Sequence, residues 1–440
     1  MKNINDYIYS PQYECMTRSE MEALQSERLV KLVKRVYDNV KVYREKMDAI
    51  KLKPEDIKSV ADLSKLPFTT KQDLRNNYPF GMLCDDKDDI VRLHASSGTT
   101  GKLTVVGYSQ RDLDVWQECI CRALAMAGIS KKDIIHIAYG YGLFTGGLGL
   151  HDGATKMGCA VVPASSGNTK RQLSLLKDFG ATVLACTPSY AVYLATEMEK
   201  NGINLADLKL RVGIFGAEPW SDSMREEIER ELDITALDIY GLSEITGPGV
   251  AMECVYKNGS HVQEDHFIPE IIDPVTLEPL PYGEEGELVF TTISKTGQPL
   301  IRYRTRDITS LNAEKCACGR TTVRMNKVVG RDDDMLIIRG VNVFPSQIEA
   351  AIMNVNGVAP HYIIYVDRIG NLDVMEIHIE VNESFASDNI GDMEILRRKI
   401  ENEIQSYLGI SSKVKLVEQN TLPRSEGKAV RVVDKRKFTE

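Results

Sequence analysis

The chain has 440 residues, 43% of them hydrophobic and 27% charged, and its 54 Lys+Arg against 63 Asp+Glu leave a formal net charge of −9. That length predicts roughly two to four domain-sized units, and the ordinary globular composition excludes disorder over most of the chain. The acidic balance argues against a nucleic-acid partner, and no apolar run approaches the ~18 residues of a membrane helix, so no membrane partner is expected. The opening MKNINDYIYSPQYECMTRSE has no apolar stretch of the secretory kind. Nine Cys, neither dense nor evenly spaced, then predict free thiols in a reducing cytoplasm. One pair, Cys316 and Cys318, raises the question of a metal.

In chain order, residues 19–50 read as helix, with Leu24, Leu29, Leu32 and Val33 at helical spacing among Lys and Glu. PEDIKSVADLSKL at 54–66 predicts a short helix started by Pro54. Pro67 breaks it, and Thr70 is placed to cap a helix over Lys71–Arg75. A further helical run spans 110–128 and ends at Gly128. From 133, apolar bursts alternate with helical segments: DIIHIAYG, CAVVPAS, a helix at 169–179, TVLACTP, a helix at 189–201, LRVGIFGAEP and a helix at 221–231. That alternation predicts a mostly parallel sheet covered by helices.

After 240, EGELVFTTI and PLIRYRTRDITSL are β-branched and punctuated by Gly and Pro, which predicts a more antiparallel β subdomain over about 245–331. From 334, MLIIRG, an amphipathic helix from Ser346 to Met353, HYIIYVDR, DVMEIHIEV, a helix at 391–408 and KVKLVE read as a compact α+β domain. The polar run GRDDD at 330–334 is the linker candidate. The expected fold class is α/β: a large N-terminal domain, 1–331, with mostly parallel sheets plus the β subdomain, and a small α+β C-terminal domain, 332–440.

Four segments carry chemistry. In Ser96-Ser97-Gly98-Thr99-Thr100-Gly101-Lys102, four hydroxyls, two glycines and a lysine crowd into seven residues. Glycines let backbone N–H groups converge, hydroxyls add donors and lysine adds charge, which is how a chain grips phosphate. It is no Walker A loop, because only two residues separate Gly98 from Gly101-Lys102 and LTVVGY, a strand pattern, follows. With DIVRLHA before it, the loop is expected between two strands; the plain alternative is a polar hairpin turn. Asp238-Ile239-Tyr240-Gly241-Leu242-Ser243-Glu244 runs a strand into a glycine turn, where α/β proteins place ligands. Glu244 there suits a Mg²⁺ that bridges phosphates. In Arg302-Tyr303-Arg304-Thr305-Arg306-Asp307, followed by Gly330-Arg331, a carboxylate can accept ribose hydroxyls and an arginine can fork onto phosphate; the alternative is a salt-bridged edge strand. In the tail Leu422–Lys428, a lysine after glycine can be swung onto developing negative charge, although its spacing alone does not set it apart from a solvated lysine.

Taken in this order, the segments resemble the adenylate-forming superfamily, the acyl-CoA synthetases and their relatives. Within it the chain is most similar to aryl-acid CoA ligases, on YGYGLFTGGLG at 139–149, GAEPWS at 216–221, DIYGLSE at 238–244, EDHFIPEIIDP at 264–274, RYRTRD at 302–307 and MLIIRGVNVFPSQIE at 335–349. The resemblance implies that Ser96 to Lys102 clamps the phosphates of ATP. It implies that Gly216, Ala217 and Glu218 line the adenine with Asp238, Ile239, Tyr240 and the adjoining Gly241. Glu244 would bind Mg²⁺, Asp307 the ribose and Arg331 the nucleotide. Asp333 matches the hinge, near 331–334, about which a mobile small domain turns. Gly340 lies in the segment that shapes the coenzyme A thiol tunnel, and Lys428 is the adenylation lysine. The implied reaction makes an acyl-adenylate from an arylacetate and ATP, then passes the acyl group to CoA with release of AMP.

One feature departs from the family pattern. Cys316-Ala317-Cys318-Gly319 inserts a Cys-x-Cys, and upstream lie Cys254 and His261. Three thiolates and an imidazole suit a structural, tetrahedral Zn²⁺; His266 is the competing nitrogen, and buried but unrelated thiols are the plain alternative. Tyr139, Tyr141, Phe144 and Thr145, with flanking glycines, read as a slot for a flat ring, or else as a buried segment packing its own core. Two other functions compete: adenylation of a different acceptor, such as a deazaflavin coenzyme, and a zinc-stapled nucleotide-binding module without turnover. The retention of Lys428, Glu244 and Asp307 weighs against the second. A homodimer is compatible with this reading.

Overall fold

The computed structural model describes residues 8–96, 103–331, 336–338, 341–369, 372–382, 390–423 and 431–435. Ser97, Gly98, Thr99, Thr100, Gly101, Lys102, Asp333, Gly340 and Lys428 lie outside the described residues. The chain divides into two compact units: 1–186 with 206–217 and 237–327, and 187–205 with 218–236 and 328–440.

The first unit opens with a helix at Arg18–Asn39, whose N-cap Thr17 and Glu20 form a reciprocal capping box. The single helix expected over 19–50 is broken at Val40, which is extended and buried at 1% exposure, before a second helix at Lys41–Ala49. Apolar periodicity continues through the break because both helices bury the same face. The stretch 54–66 forms two short 3₁₀ turns, Pro54–Asp56 and Val60–Lys65, rather than an α-helix. Asp56 accepts from Lys53 N–H, and Asp62 from Lys58 and Ser59 N–H, so side chains take the place of helical partners. Thr70 caps the helix Lys71–Asn76 as its position predicts.

A nine-stranded sheet forms the body of this unit. Its order is Leu311–Asn312, Arg324–Met325, Ser260–Val262, Gly247–Glu253, Thr235–Leu242, Val212–Gly216, Val183–Cys186, Ile134–Ile137 and Ala160–Val162. The three pairings that join 160–162, 134–137, 183–186 and 212–216 are parallel. From Thr235–Leu242 outward the neighbours are antiparallel, with Ile239 opposite Met252 and Met252 opposite His261. The parallel part reads as continuous apolar runs because both of its faces are covered: all four residues of Val183–Cys186 are buried. Strands Phe267–Ile272, Gly286–Thr292 and Tyr303–Thr309 pair antiparallel in a second sheet, the β subdomain expected after 240. Ile90–Ser96 and Thr104–Ser109 pair antiparallel, so the Ser/Thr/Gly-rich segment does connect two strands.

Helices Gln110–Met126 and Thr145–Met157 pack together in the first unit through glycines. A Cβ on Gly149 would lie 2.2 Å from the Trp116 ring, and one on Gly153 2.3 Å from Ile120. Gly149 and Gly153, two of the six glycines in the 139–153 segment, therefore serve helix packing.

In the second unit, strands Val358–Ile369 and Leu372–Val381 pair antiparallel, and Lys413–Val417 and Val432–Asp434 add parallel on the two sides. Helices Pro345–Met353 and Ile390–Leu408 close the core, in which Ile348, Ile364, Met375, Ile377, Ile400 and Ile404 have no exposed surface. This is the α+β unit read from 334 onward. Helices Pro188–Lys200 and Asp222–Leu232 also belong to the second unit. Among the described residues, no helix is long and apolar enough to cross a membrane.

The glycine packing gives a prediction whose sign decides. On an open helix face, Gly149→Ala would add stability of about 1 kcal/mol. Against Trp116 it should instead overpack and cost about 1–3 kcal/mol, read as a lower denaturant midpoint at unchanged slope.

Candidate functional site

The site of the first unit grows from tight turns at the carboxyl ends of adjacent strands. Gly216 ends its strand where a Cβ would lie 2.2 Å from the Ile239 carbonyl, so only glycine lets the two strand ends meet. Ala217 follows with φ 71°, a left-handed conformation that costs a non-glycine residue about 1–3 kcal/mol and marks functional loops. Gly216 is thus brought against Ile239. Glu218 belongs to the second unit and accepts from Ser189 N–H at 2.9 Å. Arg331, half-buried on the strand Gly330–Arg331, lies in that unit too.

One strand further, Asp238 N–H donates to Glu253 at 2.9 Å, and the Tyr240 hydroxyl donates to Asp307 at 2.6 Å. Asp307 is 5% exposed, and its own N–H donates to Thr305 Oγ1 at 3.0 Å. A carboxylate and a phenol therefore stand side by side, from residues 67 positions apart. The neighbouring arginines follow the plain reading of this segment. Arg302 pairs with Glu270 at 3.1 Å and lies over the Phe68 ring, and Arg304 pairs with Glu287.

At Gly241 the chain turns so tightly that a Cβ would lie 1.8 Å from the Gly247 carbonyl. Ser243 and Glu244 sit in that turn. Ser96, the first residue of the hydroxyl-rich loop, donates to Glu244 Oε1 at 3.0 Å. Lys71 Nζ lies 3.5 Å from the same oxygen, and Thr145 Oγ1 lies 3.0 Å from Ser243 Oγ. Ser96, the described end of the first sequence constellation, therefore meets Glu244 of the second. Lys71 was not legible beforehand: a lysine at a helix start has no pattern that marks it.

The ring-slot residues divide. Tyr139 is 6% exposed and donates to the Cys186 carbonyl at 2.6 Å, so it belongs to the core. Thr145 is spent on Ser243. Tyr141 packs edge-on to His151, at 5.9 Å between ring centroids, and burial raises its phenol above the ordinary value. Phe144, 37% exposed, caps the helix Thr145–Met157 and lies beside Gly146. Of the four, Tyr141 is half-buried and Phe144 is exposed.

Cys254, His261, Cys316 and Cys318 are all buried, with their sulfur and nitrogen atoms within 4.8 Å of one another. Cys254 Sγ lies 3.7 Å from Cys316 Sγ, and Cys318 Sγ lies 3.3 Å from His261 Nε2. Gly319, at φ 87°, closes the Cys-x-Cys turn by donating to the Cys316 carbonyl at 3.1 Å. His261 Nδ1 lies 3.0 Å from Thr322 Oγ1, which orients the ring with Nε2 toward the thiols. Hydrogen bonds from Cys254 and His261 hold the Cys318 thiol below its ordinary value, so this thiol favours the thiolate that binds metal. His266 is elsewhere: its ring contacts Ser294 at 2.7 Å and Asp265 at 3.2 Å.

Burial pushes the His266 imidazole down to about 4 from 6.5. As pH falls through that window, the unfolded chain takes up a proton that the folded chain refuses, so stability is lost there and is fully present above 6.5. The denaturant midpoint should fall between pH 6.5 and 4, and fall less steeply in His266→Asn than in the parent protein.

The family model described as AMP-binding enzyme matches residues 7–295, and the one described as AMP-binding enzyme C-terminal domain matches 340–436. The chain is 50% identical to a phenylacetate-coenzyme A ligase of Pseudomonas putida over 425 residues, covering 96% of each chain. It is 48% identical to the phenylacetate-coenzyme A ligase of Thermus thermophilus, over 98% of this chain and 100% of that one. Its fold matches 2-hydroxyisobutyryl-CoA ligase in the postadenylation state in complex with 2-HIB-AMP at a TM-score of 0.93 and 27% identity, covering 99% of this chain and 94% of that one. The same ligase in the thioesterification state, with 2-HIB-AMP and CoA, matches at 0.74. The chain belongs to the adenylate-forming, AMP-binding enzyme family, among the phenylacetate–coenzyme A ligases, which are acid–thiol ligases.

Proposed function

We propose that this enzyme activates phenylacetate or a related arylacetate. A carboxylate oxygen of the acid attacks the α-phosphorus of ATP; a P–O bond forms and pyrophosphate leaves. The CoA thiolate then attacks the acyl carbon of the adenylate, and AMP leaves with the bonding pair. The observation that carries this reading is the meeting of Ser96 with Glu244 beside the Tyr240–Asp307 pair. Together they supply a phosphate end and a ribose end to one nucleotide.

The loop Ser96–Lys102 holds the phosphates, Gly216 and Ala217 with Asp238, Ile239, Tyr240 and Gly241 hold the adenine side, and Asp307 holds the ribose. The family resemblance assigns Glu218 and Arg331 to the nucleotide as well. Glu244, a buried hard-oxygen donor next to a hydroxyl, fits Mg²⁺, which when bound would neutralise phosphate charge. Tyr141 and Phe144, with Tyr139 and Thr145 behind them, border the aryl group. Lys428 stabilises the charge developing in the first half-reaction. A small domain, 332–440, then turns about the hinge 331–334, with Asp333 in it, and Gly340 shapes the path of the CoA thiol. A cytoplasmic setting fits the supply of ATP and CoA and the free thiols, and a homodimer is compatible with this chemistry.

A panel of phenylacetate, 4-hydroxyphenylacetate, indoleacetate, benzoate and short fatty acids, assayed for CoA-dependent AMP formation, tests the substrate class. Arylacetates should give the highest kcat/KM; a straight-chain acid that outperforms every aryl acid overturns the reading.

Cys254, His261, Cys316 and Cys318 fit one structural Zn²⁺, since a buried Cys₃His set with an oriented imidazole matches its tetrahedral preference. Elemental analysis of fresh protein should find one zinc per chain. Cys316→Ser should lose the metal and unfold at lower denaturant, and His261→Ala should lose metal where His266→Ala keeps it.

A further inference from the structure

Ser243, Glu244, Ile245 and Thr246 form the turn that presents Glu244, and their carbonyls lie within hydrogen-bond distance of two side chains, a phenol with one proton to donate and an ammonium with three. The Tyr108 hydroxyl lies 3.1 Å from the Ser243 carbonyl and 2.9 Å from that of Thr246. The Lys295 ammonium donates to the Ile245 carbonyl at 2.9 Å and to that of Glu244 at 3.4 Å. Tyr108 is fully buried and Lys295 is 6% exposed. The two are in contact, with the ammonium 4.5 Å from the phenol ring centroid.

Neither side chain can drift. Trp116 stacks on Tyr108 at 5.3 Å and donates to the Pro248 carbonyl at 2.9 Å, just past the turn. The segment that carries Lys295 is tied by Thr296 N–H and Gly297 N–H to the Asp112 carboxylate, at 2.6 and 2.9 Å. A buried ammonium is costly unless its protons are used, and here they are used on the backbone of the one turn that carries the phosphate-side carboxylate. Tyr108, in turn, stands on the strand Thr104–Ser109 that follows the hydroxyl-rich loop.

We infer that Lys295 and Tyr108 are positioning residues for adenylation: together they fix the 243–246 turn, and through it hold the Glu244 carboxylate against Ser96. The inference rests on the reading of Glu244 as the Mg²⁺ carboxylate.

The test compares the parent protein with Lys295→Met and Tyr108→Phe. In unliganded protein, amides of 242–247 should exchange hydrogen about tenfold faster, with the helix Gln110–Met126 unchanged. The phenylacetate-dependent ATP–pyrophosphate exchange rate should fall about tenfold to a hundredfold, the cost of a small misplacement, and need more Mg²⁺ for half-maximal rate. Thioester formation from supplied phenylacetyl-AMP should stay within about threefold. Unchanged exchange at 242–247, loosening spread over the whole unit, or equal loss in both half-reactions each overturns the clamp. If Lys295→Met fails to fold, Tyr108→Phe carries the same readouts, because it keeps the ring and removes only the hydroxyl. Glu244→Gln with an unaltered Mg²⁺ requirement overturns the reading of Glu244 by itself, and the amide exchange of the other variants still decides whether the turn is clamped.

Discussion

The Gly247 carbonyl stands where a side chain on Gly241 would begin, 1.8 Å from the position of its Cβ. That approach folds the strand Thr235–Leu242 back onto Gly247–Glu253 with almost no loop between them. It leaves Ser243 and Glu244 at the crown of the sheet, within reach of Ser96 from one hairpin and Thr145 from a helix start. Gly247 is constrained twice, because a Cβ on it would also lie 2.3 Å from the Trp116 ring. Trp116 is therefore the common wall behind the turn and behind Gly149. The helix layer and the turn that carries the carboxylate thus share one packing side chain.

The sheet is stabilised differently at its two ends. At the parallel end, apolar strands such as Val183–Cys186 are buried on both faces and need no further fastening. At the antiparallel end, Ser260–Val262, Arg324–Met325 and Leu311–Asn312 are only two or three residues long. Strands that short make too few ladder hydrogen bonds to hold register alone. The thiol–imidazole cluster sits at that end, joining the strand that carries His261 to the loop that carries Cys316 and Cys318. The Arg320–Glu14 pair, at 2.6 Å and essentially unexposed, fastens the same loop to the N-terminal segment. Since severing a buried pair strands a charge, that contact holds register as much as it adds stability.

Much of the fold was legible because it is written in short periods. The alternation of apolar bursts with helical segments from 133 to 231 corresponds to observed strands and helices, and the Thr70 cap and the end of the helix before Gly128 follow from single residues. What periodicity misses is a change of direction that keeps the same buried face, as at Val40, or a local side-chain bond that replaces a helical one, as at Asp56 and Asp62. The 139–153 segment is hard to read for a related reason. Glycines and aromatics at 139–153 look alike whether they admit a ligand or a neighbouring helix, and only the packing of Trp116 and Ile120 separates the two.

By itself, the sequence determined which residue types could do chemistry: hydroxyls and glycines for phosphate, a carboxylate in a glycine turn, three thiols and an imidazole. Those identities are local, and so is the bond angle or charge that makes them useful. Tertiary structure decided which of them meet. It joined Ser96 to Glu244 across 148 positions and Tyr240 to Asp307 across 67, chose His261 over His266 for the thiols, and set Lys295 beneath the turn. Such pairings depend on strand order and on how closely two backbones approach, quantities that no window along the chain contains.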